Sequence, residues 1–407
     1  MNPPATIGNP GQLKLDLIIR GMKISRSALA SPEISRTLEL SQQIGGALEL
    51  DIILPENVLV NIPLRECLAD DKPYTLTEED GRYYISGADA QVEVWVAPSP
   101  EYYGKKTLSG VPMVKIGRTY GGYLAISPTP VCEFISQELA CRYCDLEAKK
   151  GRAWTVEEVL ETVEAVVGEG VAEFICLNVG YTDSPDGGIA LLEPYIKAIK
   201  NHFDLLVCVQ AQPPATDSWI DSSYAMGIDS IAYNLEVYDP QVFEQIAPGK
   251  KVLIGRERYF EALKHAAEIF PSGAVVSNLI IGLEPIASTL KGIDILAAIG
   301  VIPTLPVYRL ATDSGEEVGR VDLLAPVYLH LQEALKRNKL SPTWISHFNL
   351  ALNAIDGQFF GAEAPLKQKW QKVLKSRHGG RIAHGISSFR RRLRVRSVDD
   401  DSAPSGF

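Results

Sequence analysis

Cys132-Glu-Phe-Ile-Ser-Gln-Glu-Leu-Ala-Cys141-Arg-Tyr-Cys144 sets three cysteines in one short stretch, with eight and then two residues between them, in a 407-residue chain that has six in all. Three thiolates this close can converge on one metal centre, and soft sulfur ligands select zinc or an iron–sulfur cluster. A structural zinc ion is closed by four protein ligands, and no Cys or His follows Cys144 within thirty residues. A cubane cluster on three thiolates instead leaves one iron open to a ligand. The bland alternative is three unrelated core cysteines, since a free cysteine behaves as a small buried hydrophobe.

Outward from this stretch, composition sets bounds. The chain is 46% hydrophobic and 22% charged, which is globular, and long enough for one large domain or two. There is no run of eighteen apolar residues, and the N-terminal MNPPATIGNPGQLK has no basic stretch leading into an apolar core, so the chain reads as soluble and cytoplasmic, with no membrane partner. Cys67, Cys176 and Cys208 are isolated in apolar segments, unlike a disulfide framework, which fits a reducing compartment. A net charge of −10 argues against binding nucleic acid through its phosphates; the one dense basic run, RRRLRVR, lies in the tail.

Residues 1–115 read as an α+β preamble. LDLIIRG and LELDIILP are apolar runs of strand length, Arg36–Gly45 fits a short helix, and RYYISG and QVEVWVAP alternate with period two. Turns fall at Glu79-Asp80-Gly81 and Ser86-Gly87, and the Pro- and Gly-punctuated stretch around residues 98–113 reads as a linker. Residues 116–315 then alternate short apolar runs with helical stretches, the pattern of repeated βα units on a parallel sheet. Strands are expected at Tyr123–Ser127, Glu173–Asn178, Leu205–Gln210, Ser230–Glu236, Ala274–Ile281 and Ile302–Tyr308. Helices are expected at Val156–Val167, capped by Thr155, and at Ile189–Asn201, Thr216–Met226, Glu257–Phe270 and Ala287–Ile299. Periodicity alone allows a full barrel or a doubly wound sheet. Residues 316–376 read as a helical extension, with a helix at Val321–Lys336 and an aromatic-rich stretch from Trp344 to Phe360, and residues 377–407 as a disordered tail. His330, His347, His378 and His384 show no metal-ligand spacing.

The three-cysteine loop, with Tyr143 just before the last thiol and the whole loop just after the first βα strand, resembles the cluster loop of the radical S-adenosylmethionine (radical SAM) enzymes. Their commonest first gap is three residues, against eight here. The resemblance implies an α/β fold, a partial (β/α)6 TIM-like barrel between the N-terminal α+β preamble and the C-terminal helical extension. It implies a [4Fe-4S] cluster on Cys132, Cys141 and Cys144, with SAM on the open iron. Reductive cleavage of SAM would then yield a 5'-deoxyadenosyl radical that abstracts hydrogen from a small-molecule substrate, with flavodoxin or ferredoxin as electron donor.

Further positions match the same resemblance in order, over about 121–314. Asn178 and Gly180 stand where the family's Gly-Gly-Glu-like segment holds the SAM amino group, although that segment itself is missing. Glu236, ending the fourth strand, is the implied ribose ligand, and Asn234 alternates with it. Arg258, after Pro248-Gly249 and near the start of a helix, would pair with the SAM carboxylate. Ile281, Gly282 and Leu283 on the fifth strand and Val307 and Tyr308 on the sixth would flank the adenine. The stretch from Lys250 to Lys264 and the long first gap are closest to the biotin and lipoyl synthase side, including the methylases of a pyridinol cofactor. No residue is singled out as catalytic. Two other readings stay open: a structural or sensory iron–sulfur or zinc protein, for which a fourth ligand is the discriminating feature, and an RNA-modifying radical enzyme, which would need a basic surface.

Overall fold

The computed structural model describes residues 8–44, 48–63, 73–87, 90–130, 132–144, 152–172, 174–308, 321–342 and 354–360. Chain entry is a helix, α1 (Pro10–Arg20), where the LDLIIRG run reads as a strand. Asn9 caps its first N–H groups, Pro10 sits at the first helical position, and Gly21 ends it at φ 69°. Leu13, Leu15, Leu17 and Ile18 are all buried, so the helix is surrounded and its apolar run loses the periodicity that separates helix from strand.

Strand β1 (Lys23–Ile24), helices α2 (Arg26–Leu29) and α3 (Pro32–Ile44), and strands β2 (Glu49–Leu54), β3 (Val58–Pro63), β4 (Thr75–Glu79), β5 (Arg82–Ser86) and β6 (Gln91–Val96) complete the preamble. The six strands form one sheet in the order β1-β4-β5-β6-β2-β3. Asp80 and Gly81, both at positive φ, make the two-residue turn joining β4 to β5, matching the right-handed twist of the pair. The stretch after β6, read as a linker, is packed: Tyr102 and Tyr103 are buried, and the Tyr102 hydroxyl donates to the Gly117 carbonyl at 3.2 Å.

Helix α4 (Met113–Ile116) leads to β7 (Gly117–Tyr120) and β8 (Tyr123–Ile126), and a short helix α5 (Glu133–Ser136) follows. Next come α6 (Val156–Glu169), β9 (Phe174–Asn178), α7 (Ile189–His202), β10 (Leu206–Ala211), α8 (Asp217–Met226) and β11 (Ser230–Tyr233). Then α9 (Pro240–Ile246), α10 (Arg256–Ile269), β12 (Val275–Asn278), α11 (Ile286–Ala298), β13 (Ile302–Thr304) and α12 (Val321–Arg337) complete the described α-helices and strands. The second sheet runs β13-β12-β11-β10-β9-β8-β7, with β8 to β13 all parallel in chain order and β7 antiparallel at one edge. It curls into an open half-barrel, and among the described residues β13 pairs with β12 alone.

The predicted strands of the second sheet are all present, most of them shorter than expected. The fourth ends at Tyr233 and the fifth at Asn278, beyond which only isolated bridges, Glu236 to Leu279 and Ile281 to Val307, continue the pairing. The edge strand β7 is an addition; Arg118 and Tyr120 gave it no clean alternation. Thr155 caps α6 in a full capping box with Glu158, as its spacing predicts. Among the last described residues, α12 packs on α11, and residues 354–360 reach back to α1. There the Asn9 side chain donates to the Phe359 carbonyl at 2.8 Å, and buried Lys14 pairs with buried Asp356 at 2.8 Å. Most of the aromatic-rich stretch and the whole tail lie outside the described residues.

Candidate functional site

The cluster loop leaves the carboxyl end of β8, the first parallel strand. Its eight-residue gap is folded: α5 fills the first half, and Glu138 turns the chain at φ 59°. Phe134, 2% exposed, stacks on Tyr181 with centroids 4.2 Å apart and planes 7° apart. The Glu133 N–H donates to the Tyr181 carbonyl at 2.8 Å, and the Glu133 carboxylate accepts from the Asp183 N–H at 2.7 Å, so the loop is tied to the segment after β9. On its other side the Gly249 N–H donates to the Leu139 carbonyl at 3.1 Å and the Arg142 N–H to the Ile246 carbonyl at 2.8 Å. A Cβ at Gly249 would lie 2.4 Å from the Phe134 ring, so only glycine lets this approach form.

Cys132, Cys141 and Cys144 are free thiols, two half-buried and one exposed. The Cys144 N–H donates to the Cys141 carbonyl at 3.1 Å, a turn that keeps these two adjacent. Burial pushes the Cys141 thiol up, opposed by the Lys250 charge and a hydrogen bond with Tyr143. Burial also raises the Tyr259 phenol, with the charges of Cys141, Glu236 and Cys132 adding to the effect in that order. The donor chemistry suits a thiolate-held cluster. Among the described residues no three His, Cys, Asp or Glu side chains already stand close enough to hold a metal ion, and thiolate ligands commonly converge only as metal binding supplies the energy.

Glu236 is buried, not a solvated strand-end acid. Strand alternation does not bring it in, because β11 has ended; the residue sits at φ 75°, in the left-handed region that costs a non-glycine residue on the order of 1–3 kcal/mol. Its carboxylate accepts from Lys250 Nζ at 3.2 Å, and its backbone bridges Asn278 and Ile280. Asn234, expected beside it, turns to accept from the Asn278 N–H at 3.1 Å. Lys250 and Tyr259 were missed by the sequence reading, and a lysine in a Pro-Gly-Lys turn carries no signal of burial.

The remaining expected positions separate. Asn178 accepts from the Cys176 thiol at 3.5 Å, and Gly180 is half-buried in the loop that follows. Ile281 and Val307 are bridge partners, the Tyr308 N–H donates to the Ile281 carbonyl at 2.8 Å, and Gly282 follows at φ 100°, so the two expected adenine walls do adjoin. Leu283 is half-buried against the core. Arg258 is committed elsewhere: Nε donates to the Pro214 carbonyl and Nη2 to Asp217, each at 2.8 Å, pinning α10 to the start of α8. Glu284, the acid after Gly282-Leu283, is structural, accepting from the Tyr238 and Asp239 N–H groups at 2.9 and 2.6 Å. Cys176 and Cys208, which read as isolated, are register partners on β9 and β10, and pack with Phe174, Leu206 and Tyr123 in a cluster of their own.

A curled parallel α/β sheet with polar groups and a three-thiol loop gathered at the carboxyl ends of its strands is the layout of a cofactor-dependent enzyme core. Residues 126–289 match the sequence model of the radical SAM superfamily, and over that span the chain is a radical SAM domain. That superfamily uses a [4Fe-4S] cluster and SAM. Among curated proteins, the chain is 31% identical over 107 residues to the bacteriochlorophyllide c C-7(1)-hydroxylase of Chlorobaculum limnaeum, covering 26% of this chain and 27% of that one. It is 29% identical over 187 residues to the lipoyl synthase of Marinobacter nauticus, covering 44% and 52%. The chain thus spans about a quarter and about half of these relatives. Solved structures similar to it include methylornithine synthase (TM-score 0.42, 14% identity, 64% of this chain and 78% of that one) and Streptococcus suis SuiB (TM-score 0.41, 11%, 55% and 48%). Among the described residues no helix is long and apolar enough to cross a membrane.

Proposed function

We propose that the chain is a radical SAM enzyme, of transferase or lyase type, acting in the cytoplasm on a small molecule held in the curl of a partial (β/α)6 barrel. The observation that carries this reading is the three-thiol loop at the carboxyl end of the parallel sheet, held between the segment after β9 and Gly249, inside the radical SAM domain. Together the cluster and SAM supply one-electron cleavage of the sulfonium, and with it a 5'-deoxyadenosyl radical able to take hydrogen from carbon.

The chain's own residues hold, orient and exclude water. Cys132, Cys141 and Cys144 are the cluster ligands, and Tyr143, between the last two in sequence, helps to enclose the cofactor. Backbone at Asn178 and Gly180 receives the SAM amino group, and Glu236 accepts from the ribose hydroxyls. Arg258 takes the SAM carboxylate in exchange for Asp217, its present carboxylate partner. Ile281, Gly282, Leu283, Val307 and Tyr308 enclose the adenine. Substrate lies over the apolar and thiol floor of Tyr123, Phe174, Cys176 and Cys208. A flavodoxin- or ferredoxin-like protein supplies the electron.

Anaerobic reconstitution tests this. The protein should take up about four irons and four sulfides per chain, and Cys132→Ala, Cys141→Ala or Cys144→Ala should each abolish the visible absorbance of the cluster. Incubation with reductant and SAM should then give 5'-deoxyadenosine and methionine slowly, and faster with the true substrate. Stoichiometric zinc without iron in anaerobically purified protein would overturn the proposal.

A further inference from the structure

Lys250 is 2% exposed and has no task in the scheme above. It opens a π-turn, Lys250–Ile254, directly after the glycine that the cluster loop packs against. Single π-turns concentrate at functional sites. Its ammonium donates to the Asn234 carbonyl at 2.7 Å and to Glu236 Oε1 at 3.2 Å, and faces the rings of Tyr259 and Tyr143 at 5.4 and 5.9 Å. Burying an ammonium costs several kcal/mol, and apolar packing of the same shape is often as stable as a buried ion pair, so stability alone does not account for it. Tyr143 lies in sequence between two of the proposed cluster ligands, so this buried cation faces a ring of the cluster loop itself.

A cluster gains one negative charge on reduction, and nearby charge and burial set its potential. Resting on the cluster reading above, we infer that Lys250 is the fixed cation of the cluster pocket: it holds the Glu236 carboxylate in place, and its charge eases one-electron reduction of the cluster. Lys250 is a positioning and tuning residue, and it reaches no substrate in this scheme.

The experiment is an anaerobic redox titration with titanium(III) citrate, read by the electron paramagnetic resonance of the reduced cluster, on SAM-free wild type, Lys250→Met, Lys250→Arg and Glu236→Gln. Lys250→Met should shift the reduction equilibrium at least tenfold toward the oxidised form, about 59 mV lower for one electron. Lys250→Arg should stay near wild type, and Glu236→Gln should move the potential upward, because it removes a negative charge. A merely distorted loop would move Lys250→Met and Glu236→Gln the same way and overturn the inference, as would a fully loaded Lys250→Met protein with an unchanged potential. Should Lys250→Met hold no cluster, Lys250→Arg decides: loading with a wild-type potential supports the charge role, and failure to load overturns it in favour of shape. Iron and sulfide counts on wild type come first, so a wild type without a cluster counts against the cluster reading, whereas a loaded wild type with an indifferent Lys250→Met counts against Lys250 alone.

Discussion

Glu158 accepts from the Ser109 hydroxyl at 2.6 Å, the Thr155 N–H at 2.9 Å and both Arg152 terminal nitrogens, at 2.8 and 2.5 Å. The Arg152 bonds lead in holding its carboxyl down to about 2. A depressed carboxylate adds stability that is whole above its unfolded value near 4.5 and is lost as pH falls through about 2. Glu158→Gln keeps a capping-box residue and removes the charge. The variant should therefore be less stable than wild type at pH 7, with the gap closing between about pH 4.5 and 2 in denaturant melts. Because Arg152 is largely exposed, water screens its share, and the gap should narrow further in high salt. At Glu236 the expected loss is in binding. Charged hydrogen bonds contribute about 1.5–3 kcal/mol, so Glu236→Ala should weaken SAM binding by roughly tenfold or more in calorimetry of cluster-loaded protein. Unchanged affinity would remove Glu236 from the proposed ribose contact.

The cluster loop shows how an element is placed by its neighbours. Stacking of Phe134 on Tyr181, hydrogen bonds to the segment after β9 and the Gly249 contact fix a loop that has one helical turn of its own. Gly249→Val should push Phe134 and the Leu139 carbonyl away, since its Cβ would meet them at 2.4 and 2.8 Å. Iron uptake should drop severalfold, while far-ultraviolet circular dichroism stays near wild type, because the parallel sheet and its helices do not depend on this contact. Equal iron uptake would mean that the loop organises without its clamp. A milder version of the same effect is expected for Phe134→Ala, which leaves a cavity where the stack was.

For the whole molecule, the first and last described segments are joined through α1 and residues 354–360. Lys14 and Asp356 are a buried ion pair 342 residues apart in sequence. Removing one partner of such a pair leaves a buried charge and costs on the order of 3–5 kcal/mol. Lys14→Met should lower the unfolding midpoint clearly, and adding Asp356→Leu should recover much of it, the signature of a pair whose cost lies in stranding one charge. If the double variant were no better than the single, the ammonium would be contributing through other contacts.

The sequence by itself determined the alternation of strand and helix from Tyr123 to Thr304, because each buried parallel strand is a short apolar run and the stretches between keep a helical period, the first of them opened by the capping box of Thr155 with Glu158. It also determined the three-cysteine loop and its position after the first parallel strand, since spacing is a property of the chain. Helix α1 escaped it, because a helix buried all round shows no polar face to set its period. Only the tertiary structure decided that Lys250 and Glu236 share one buried site, that Cys176 and Cys208 stand side by side, and that Arg258 first meets Asp217. Those are pairings between separate elements, fixed by strand register and helix packing, and residues far apart in sequence carry no local mark of the partner that folding will give them.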